Sequence, residues 1–136
     1  IQIGMRGGFF TLEDHDFALE HGMQIIFGNE LHEMGMSACA KRIREVVGDT
    51  PVFVTFDIDF LDPAVAPGTG TPIVGGFTTA EALQILREGL TRLNIVAMDL
   101  VEVAPAYDPT GQTQVVANEI LREFLSILSY NKKVGK

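Results

Sequence analysis

The 136 residues suffice for one domain with a sizeable core and are too few for two. With 46% hydrophobic residues, 21% charged residues and a formal net charge of -8, the chain reads as globular. The acidic balance argues against nucleic-acid binding and suits small cationic ligands. The single Cys39 excludes an internal disulfide. No signal-peptide pattern or membrane-length apolar run is visible, so a cytoplasmic protein without a membrane partner is the default expectation.

Ile1 to Met5 is predicted as a short apolar strand, already under way at the first residue, so the chain is expected to be entered midway. It ends in Arg6-Gly7-Gly8, whose glycines suit a tight turn. Arg6 reads most simply as a structural ion-pair partner, and no role is assigned to it. Thr11 can cap a helix running to about Glu20, with Glu13 and Asp14 in the favourable first turn, and His21-Gly22 ends it. Residues 24–27 form a second strand. From about Glu30 to Val47, Met36, Cys39, Ala40, Ile43, Val46 and Val47 keep helical spacing, with Cys39 as a small core residue. His15, His21 and His32 fall in these segments without a histidine at i+4, so they read as surface or capping groups rather than metal ligands.

Residues 52 to 56 are apolar or β-branched, the pattern of a strand buried on both faces. Asp57 and Asp59 follow at the i, i+2 spacing that points two side chains the same way. At an effective dielectric of about 20, two like charges ~4 Å apart cost on the order of 4 kcal/mol. Between Glu45 and Leu86 there is no Lys, Arg or His to offset that repulsion. Solvent exposure, a shared proton or a bound cation would each answer it; a buried strand end disfavours the first, and hard oxygen donors favour a divalent cation over the second. A plainer alternative has one aspartate opening an Asx turn while the other is solvated. Asp62-Pro63 reads as turn chemistry.

The loop from there to Gly76 is rich in Gly and Pro and long for a connection, which itself suggests function. Thr78 and Glu81 have capping-box spacing, and Leu83, Leu86, Leu90 and Leu93 mark one face of the next helix. Ile95 to Val103 is a further strand, interrupted by Asp99 and Glu102, of which Asp99 reads as structural. Gln112 to Ser129 is a long helix with Val115, Val116, Ile120, Leu121, Phe124, Leu125 and Leu128 at core spacing, and residues 131–136 are a frayed basic tail. Strands alternating with helices predict an α/β domain, a parallel sheet with helices on both faces.

The run Thr55-Phe56-Asp57-Ile58-Asp59-Phe60-Leu61-Asp62-Pro63, continuing through Pro67-Gly68-Thr69-Gly70-Thr71-Pro72 to Gly75-Gly76, resembles the third metal motif of the ureohydrolases, the arginase and agmatinase family, in the wording of its agmatinase-like branch. Met98-Asp99-Leu100-Val101-Glu102-Val103-Ala104-Pro105 with Tyr107-Asp108 resembles the segment that follows. The resemblance implies a three-layer, arginase-like α/β/α fold, incomplete at the N-terminal side, with residues 1–136 as the C-terminal part of a single domain. It implies Asp57 as the carboxylate bridging two Mn²⁺ ions, Asp59 as a ligand of one, Glu102 as the catalytic-site partner of the substrate guanidinium, and Thr71 in the substrate pocket. A carboxylate can meet a planar guanidinium with two charge-assisted hydrogen bonds.

The implied reaction is hydrolysis of a small cationic guanidino compound, agmatine-like, to urea and an amine, with a homo-oligomer expected for the complete chain. The Gly-Gly-Asp-His and Asp-Ala-His-x-Asp motifs that supply the family's other metal ligands do not occur here, so the 136 residues alone are expected to be inactive. Two alternatives stand beside this: a catalytically incomplete partner or structural subunit of a ureohydrolase assembly, and a simple Ca²⁺ or Mg²⁺ module, for which Asp57, Asp59 and Asp62 offer too few ligands.

Overall fold

A computed structural model describes residues 1–8 and 12–135. Its elements are β1 (Gln2–Met5), α1 (Leu12–Glu20), β2 (Ile25–Phe27), α2 (Gly28–Met34), α3 (Met36–Val47), β3 (Val52–Asp57), α4 (Thr79–Leu90), β4 (Ile95–Val101) and α5 (Gln112–Lys133), with short 3₁₀ turns at Ile58–Phe60 and Pro105–Tyr107. The expected cap Thr11 lies outside the described residues. The helix expected from Glu30 to Val47 is two helices, broken at Gly35, whose φ of 79° is in the left-handed region that glycine enters without steric cost. The Thr78–Glu81 capping box forms as predicted: Thr78 Oγ1 accepts from Glu81 N, and a Glu81 carboxylate oxygen accepts from Thr78 N at 2.8 Å.

The strands form two parallel pairs, β1 with β2 and β3 with β4, the latter in the register Val54–Met98, Phe56–Leu100 and Asp57–Val101. On the core side, Phe56 meets Phe124 of α5 edge-on at 6.3 Å between ring centres. Helices α3 and α4 pack closely because Gly89 has no side chain; a Cβ there would stand 3.0 Å from Ile43 Cδ1. Leu31, Ile58, Leu61, Phe77 and Ile120 are fully buried, each worth about 1.5–3 kcal/mol in transfer free energy. Cys39 is buried among them, as expected, and burial pushes its thiol up to about 11.

Three further sequence expectations change. The strand read as buried on both faces is covered on one: Phe53 is 59% exposed and Thr55 is also exposed. On α5 the core face runs through Ala117, Ile120, Phe124 and Ile127, while Val115, Leu121 and Leu125 face outward. The expected tail is helical to Lys133, and Asn131 is buried. Its Nδ2 donates to the carbonyls of Leu90 and Leu93 at 3.0 and 3.1 Å, and its Oδ1 accepts from Arg92 N. That side chain satisfies the turn after α4, where Arg92 has a left-handed φ of 69°.

The unpaired edges of β1 and β3 face each other across a cleft of about 550 Å³, lined by residues 1–6 on one side and Val52–Asp57 on the other, with Ile43, Val47 and Leu86 among its floor residues. Its carboxyl end is formed by Arg6, Asp57, Asp59 and Thr71.

Candidate active site

β3 ends at Asp57, and the chain turns there because Asp57 Oδ1 accepts a hydrogen bond from Asp59 N at 3.0 Å, opening the 3₁₀ turn Ile58–Phe60. The Asx turn weighed as an alternative is therefore present, but it does not separate the two carboxylates. Both line the carboxyl end of the cleft, brought together by the turn rather than by strand alternation. Burial raises the Asp57 carboxyl above its ordinary range, and the negative charges of Asp59 and Glu102 push the same way, against the pull of the Asp59 backbone hydrogen bond. Asp57 thus feels the charge of Glu102 across the strand pair, although the two residues are 45 positions apart in sequence.

Glu102 stands one residue beyond β4 with φ of 64°, a conformation that a non-glycine residue holds only when its neighbours impose it. Ala104 N donates to Gly68 O at 2.7 Å, fastening the turn after Glu102 to the loop that follows β3. That loop passes over the carboxylate, since a Cβ on Gly70 would lie 3.6 Å from Glu102 Oε2. Thr71 Oγ1 donates to Asp59 Oδ2 at 3.0 Å. The structure therefore brings Asp57, Asp59, Thr71 and Glu102 to one end of the β3–β4 pair, where parallel α/β sheets carry their sites. Thr71 touches a carboxylate as well as facing the cleft.

The counter-charge missing from the neighbouring sequence arrives from β1. Arg6 lies close enough to Asp59, Asp62 and Asp57 for their charges to hold its proton, although burial is the larger influence and lowers its pKa. Among the described residues Arg6 makes no direct ion pair of the kind expected. The guanidinium donates to backbone carbonyls of Asp59, Leu61 (3.2 Å) and Ile73 (2.8 Å), so it clamps the loop through its backbone rather than through the carboxylates. Asp62 fastens the same loop: its Oδ1 accepts from Ala64 N at 3.0 Å, and its Oδ2 from Gly75 N and Gly76 N at 2.9 and 3.0 Å. These bonds hold its carboxyl below the usual range, that from Ala64 most of all. A Cβ on Gly76 would run into the Asp62 backbone, which fixes glycine there.

Sequence reasoning missed Arg6 as a clamp and the buried Asp108, whose position just before a helix start was a capping signal in plain view. Of the histidines, His32 stacks on Phe77 and bonds Gly75 O at 3.2 Å, and His21 bonds Phe17 O at 2.8 Å. A second, more open cleft, lined by Arg44, Gly48, Arg87, Glu88 and Leu93 among others, lies at the amino ends of β3 and β4, away from these carboxylates.

Asp57 and Asp59 are hard oxygen donors held together against their repulsion, and so fit a divalent cation. They fit as part of a shell: among the described residues no three His, Cys, Asp or Glu side chains are grouped to hold an ion.

The chain matches the arginase family over residues 1–126. An agmatinase of Chromobacterium violaceum is 47% identical over 99% of this chain and 39% of its own length. A guanidinopropionase of Pseudomonas aeruginosa is 44% identical over 95% of this chain and 40% of its own length. The solved structure of proclavaminate amidino hydrolase from Streptomyces clavuligerus superposes with a TM-score of 0.88 at 42% identity, covering 96% of this chain and 42% of that one. The 136 residues thus span about 40% of the curated relatives they match.

Proposed function

The chain belongs to the arginase family, and from that membership we propose that the protein carrying these residues hydrolyses a small guanidino compound, agmatine-like, to urea and an amine. The observation that supports the reading best is the convergence of Asp57 and Asp59 with Glu102 at the carboxyl ends of two paired strands. Asp57 and Asp59 would hold the divalent ions, Mn²⁺ in the first place, with Asp57 as the bridging ligand. Such ions, when bound, acidify water and neutralise developing charge. Glu102 supplies the substrate end: its carboxylate pairs with the guanidinium and orients the carbon that water attacks. The bond from that carbon to the substituted nitrogen breaks, the oxygen of water stays on carbon as the carbonyl of urea, and a proton leaves with the amine.

The names of the relatives divide between agmatine and guanidinopropionate at similar identity, so the guanidino group is the common element and the tail of the substrate is read elsewhere. The preference for agmatine rests on the wording of the loop at residues 66–76. Among the described residues no helix is long and apolar enough to cross a membrane. A homo-oligomeric protein of the cytoplasm completes the proposal.

The test is urea release by the full gene product with Mn²⁺, measured on agmatine, 3-guanidinopropionate and 4-guanidinobutyrate. Turnover of one of them is expected, and none with any guanidino compound would refute the reading. That among the described residues no three His, Cys, Asp or Glu side chains are grouped to hold an ion favours a second reading, a catalytically incomplete partner or structural subunit. That reading gains if urea appears only when a second, complete chain is added.

A further inference from the structure

Behind the loop that crosses Glu102 lies a buried polar network that the reading above does not use. Asp108 is 3% exposed and Thr113 fully buried. Asp108 Oδ1 accepts from Thr110 N and Oγ1 at 3.0 and 2.6 Å, and its Oδ2 accepts from Thr113 N at 2.6 Å, the first turn of α5. Thr113 Oγ1 in turn accepts from Gly68 N at 2.8 Å. Gly68 O accepts from Ala104 N, two residues past Glu102. Gly68 is thus held on both sides, its N–H by the start of α5 and its C=O by the turn that follows Glu102, a residue in a left-handed conformation.

The fit is close. A Cβ on Gly68 would stand 2.9 Å from both Asp108 Cβ and Thr113 Oγ1, so the loop rests against this pair with no room for a side chain. Two residues on, Gly70 faces the Glu102 carboxylate, and Thr71 reaches Asp59. A shift of the Gly68 peptide therefore moves both the roof over the guanidinium partner and the hydroxyl on a metal-side carboxylate. Short, charge-assisted hydrogen bonds such as those to Asp108 make this an unyielding anchor.

We propose that Thr113, held in place by the Asp108 carboxylate, is a positioning residue that sets the loop at residues 68–71 against Glu102 and thereby determines how well the guanidino group is bound. The proposal rests on the guanidino-hydrolase reading. It assigns Thr113 no contact with substrate; the residue acts through Gly68.

Thr113→Val keeps the shape of the side chain and removes the acceptor for Gly68 N, while Thr113→Ser keeps the acceptor. In the full gene product with Mn²⁺, T113V should raise KM for the guanidino substrate about tenfold or more, the size expected for loss of one buried hydrogen bond that tunes binding. Its Mn²⁺ content should stay at the wild-type level, and T113S should keep KM within about twofold of wild type. A T113V enzyme with wild-type KM, losing activity only in proportion to its folded fraction by circular dichroism, would make the network structural and overturn the inference. So would a T113S enzyme as impaired as T113V, since the hydroxyl would then not be the operative group. A wild-type protein without urea release would instead overturn the underlying reading, and the inference with it, before any variant is compared.

Discussion

Thr71 Oγ1 donates a 3.0 Å hydrogen bond to Asp59 Oδ2, so the loop that roofs the cleft closes directly onto a carboxylate of the strand end. A donor on that oxygen orients the carboxylate and would leave Oδ1 for the proposed cation, which is how supporting hydrogen bonds tune metal ligands. Thr71→Val in the full gene product should weaken Mn²⁺ retention by about tenfold. Titration of metal-free protein with Mn²⁺ reads this directly, and an unchanged affinity would leave Thr71 a substrate-facing residue only.

Asp57 makes a prediction about stability and pH. Its carboxyl is raised in the fold by burial and by the Asp59 and Glu102 charges. A raised folded pKa means that ionised Asp57 costs stability above that pKa, and the cost fades as pH falls toward the unfolded value of about 3.9. Metal-free Asp57→Asn should therefore melt above metal-free wild type at neutral pH, with the gap closing by about pH 4. Asn keeps the acceptor for Asp59 N, so the turn survives. A variant less stable at pH 7 than at pH 4, relative to wild type, would contradict this.

For Asp108 the sign reverses. Hydrogen bonds from Thr110 and Thr113 bring its carboxyl down to about 2. Its contribution is fully present above the unfolded pKa of about 3.9 and is lost as pH falls through about 2. Asp108→Asn should be destabilised at neutral pH, and the difference from wild type in melting temperature should shrink between about pH 5 and pH 2. A constant difference across that range would mean that shape rather than charge is lost.

Glu102→Gln keeps the side-chain size and removes the charge proposed to pair with guanidinium. A charge-assisted bond is worth about 1.5–3 kcal/mol, so kcat/KM should fall by roughly one to two decades with metal content unchanged. Loss of Mn²⁺ in this variant would move Glu102 into the metal shell.

The elements of the fold were legible where local chemistry decides them. The capping box at Thr78 and the strand ending at Asp57 lie where the sequence puts them. The long helix α5 showed its length poorly and its face worse, because Val115, Leu121 and Leu125 satisfy helical spacing yet face outward. Asn131 has no apolar signature, and only the carbonyls of Leu90 and Leu93 reveal why the helix continues to it. At the site, the Asp57–Asp59 spacing and the acid at Glu102 stood out because charge interrupts apolar strands. Arg6 did not, since its long-range partners are carbonyl oxygens 53 to 67 residues away and carry no side-chain signal. Nor could spacing reveal the cleft between β1 and β3, which depends on strand order.

The most direct test of the site is to count bound Mn²⁺ and follow urea release in the same preparations of the full gene product, wild type against Asp57→Ala and Asp59→Ala. On the proposal that Asp57 serves two ions and Asp59 one, wild type should turn over with two ions bound. D57A should lose both ions and its turnover, and D59A should retain more metal than D57A. A D57A protein that keeps its metal and its urea release would contradict the account at its centre.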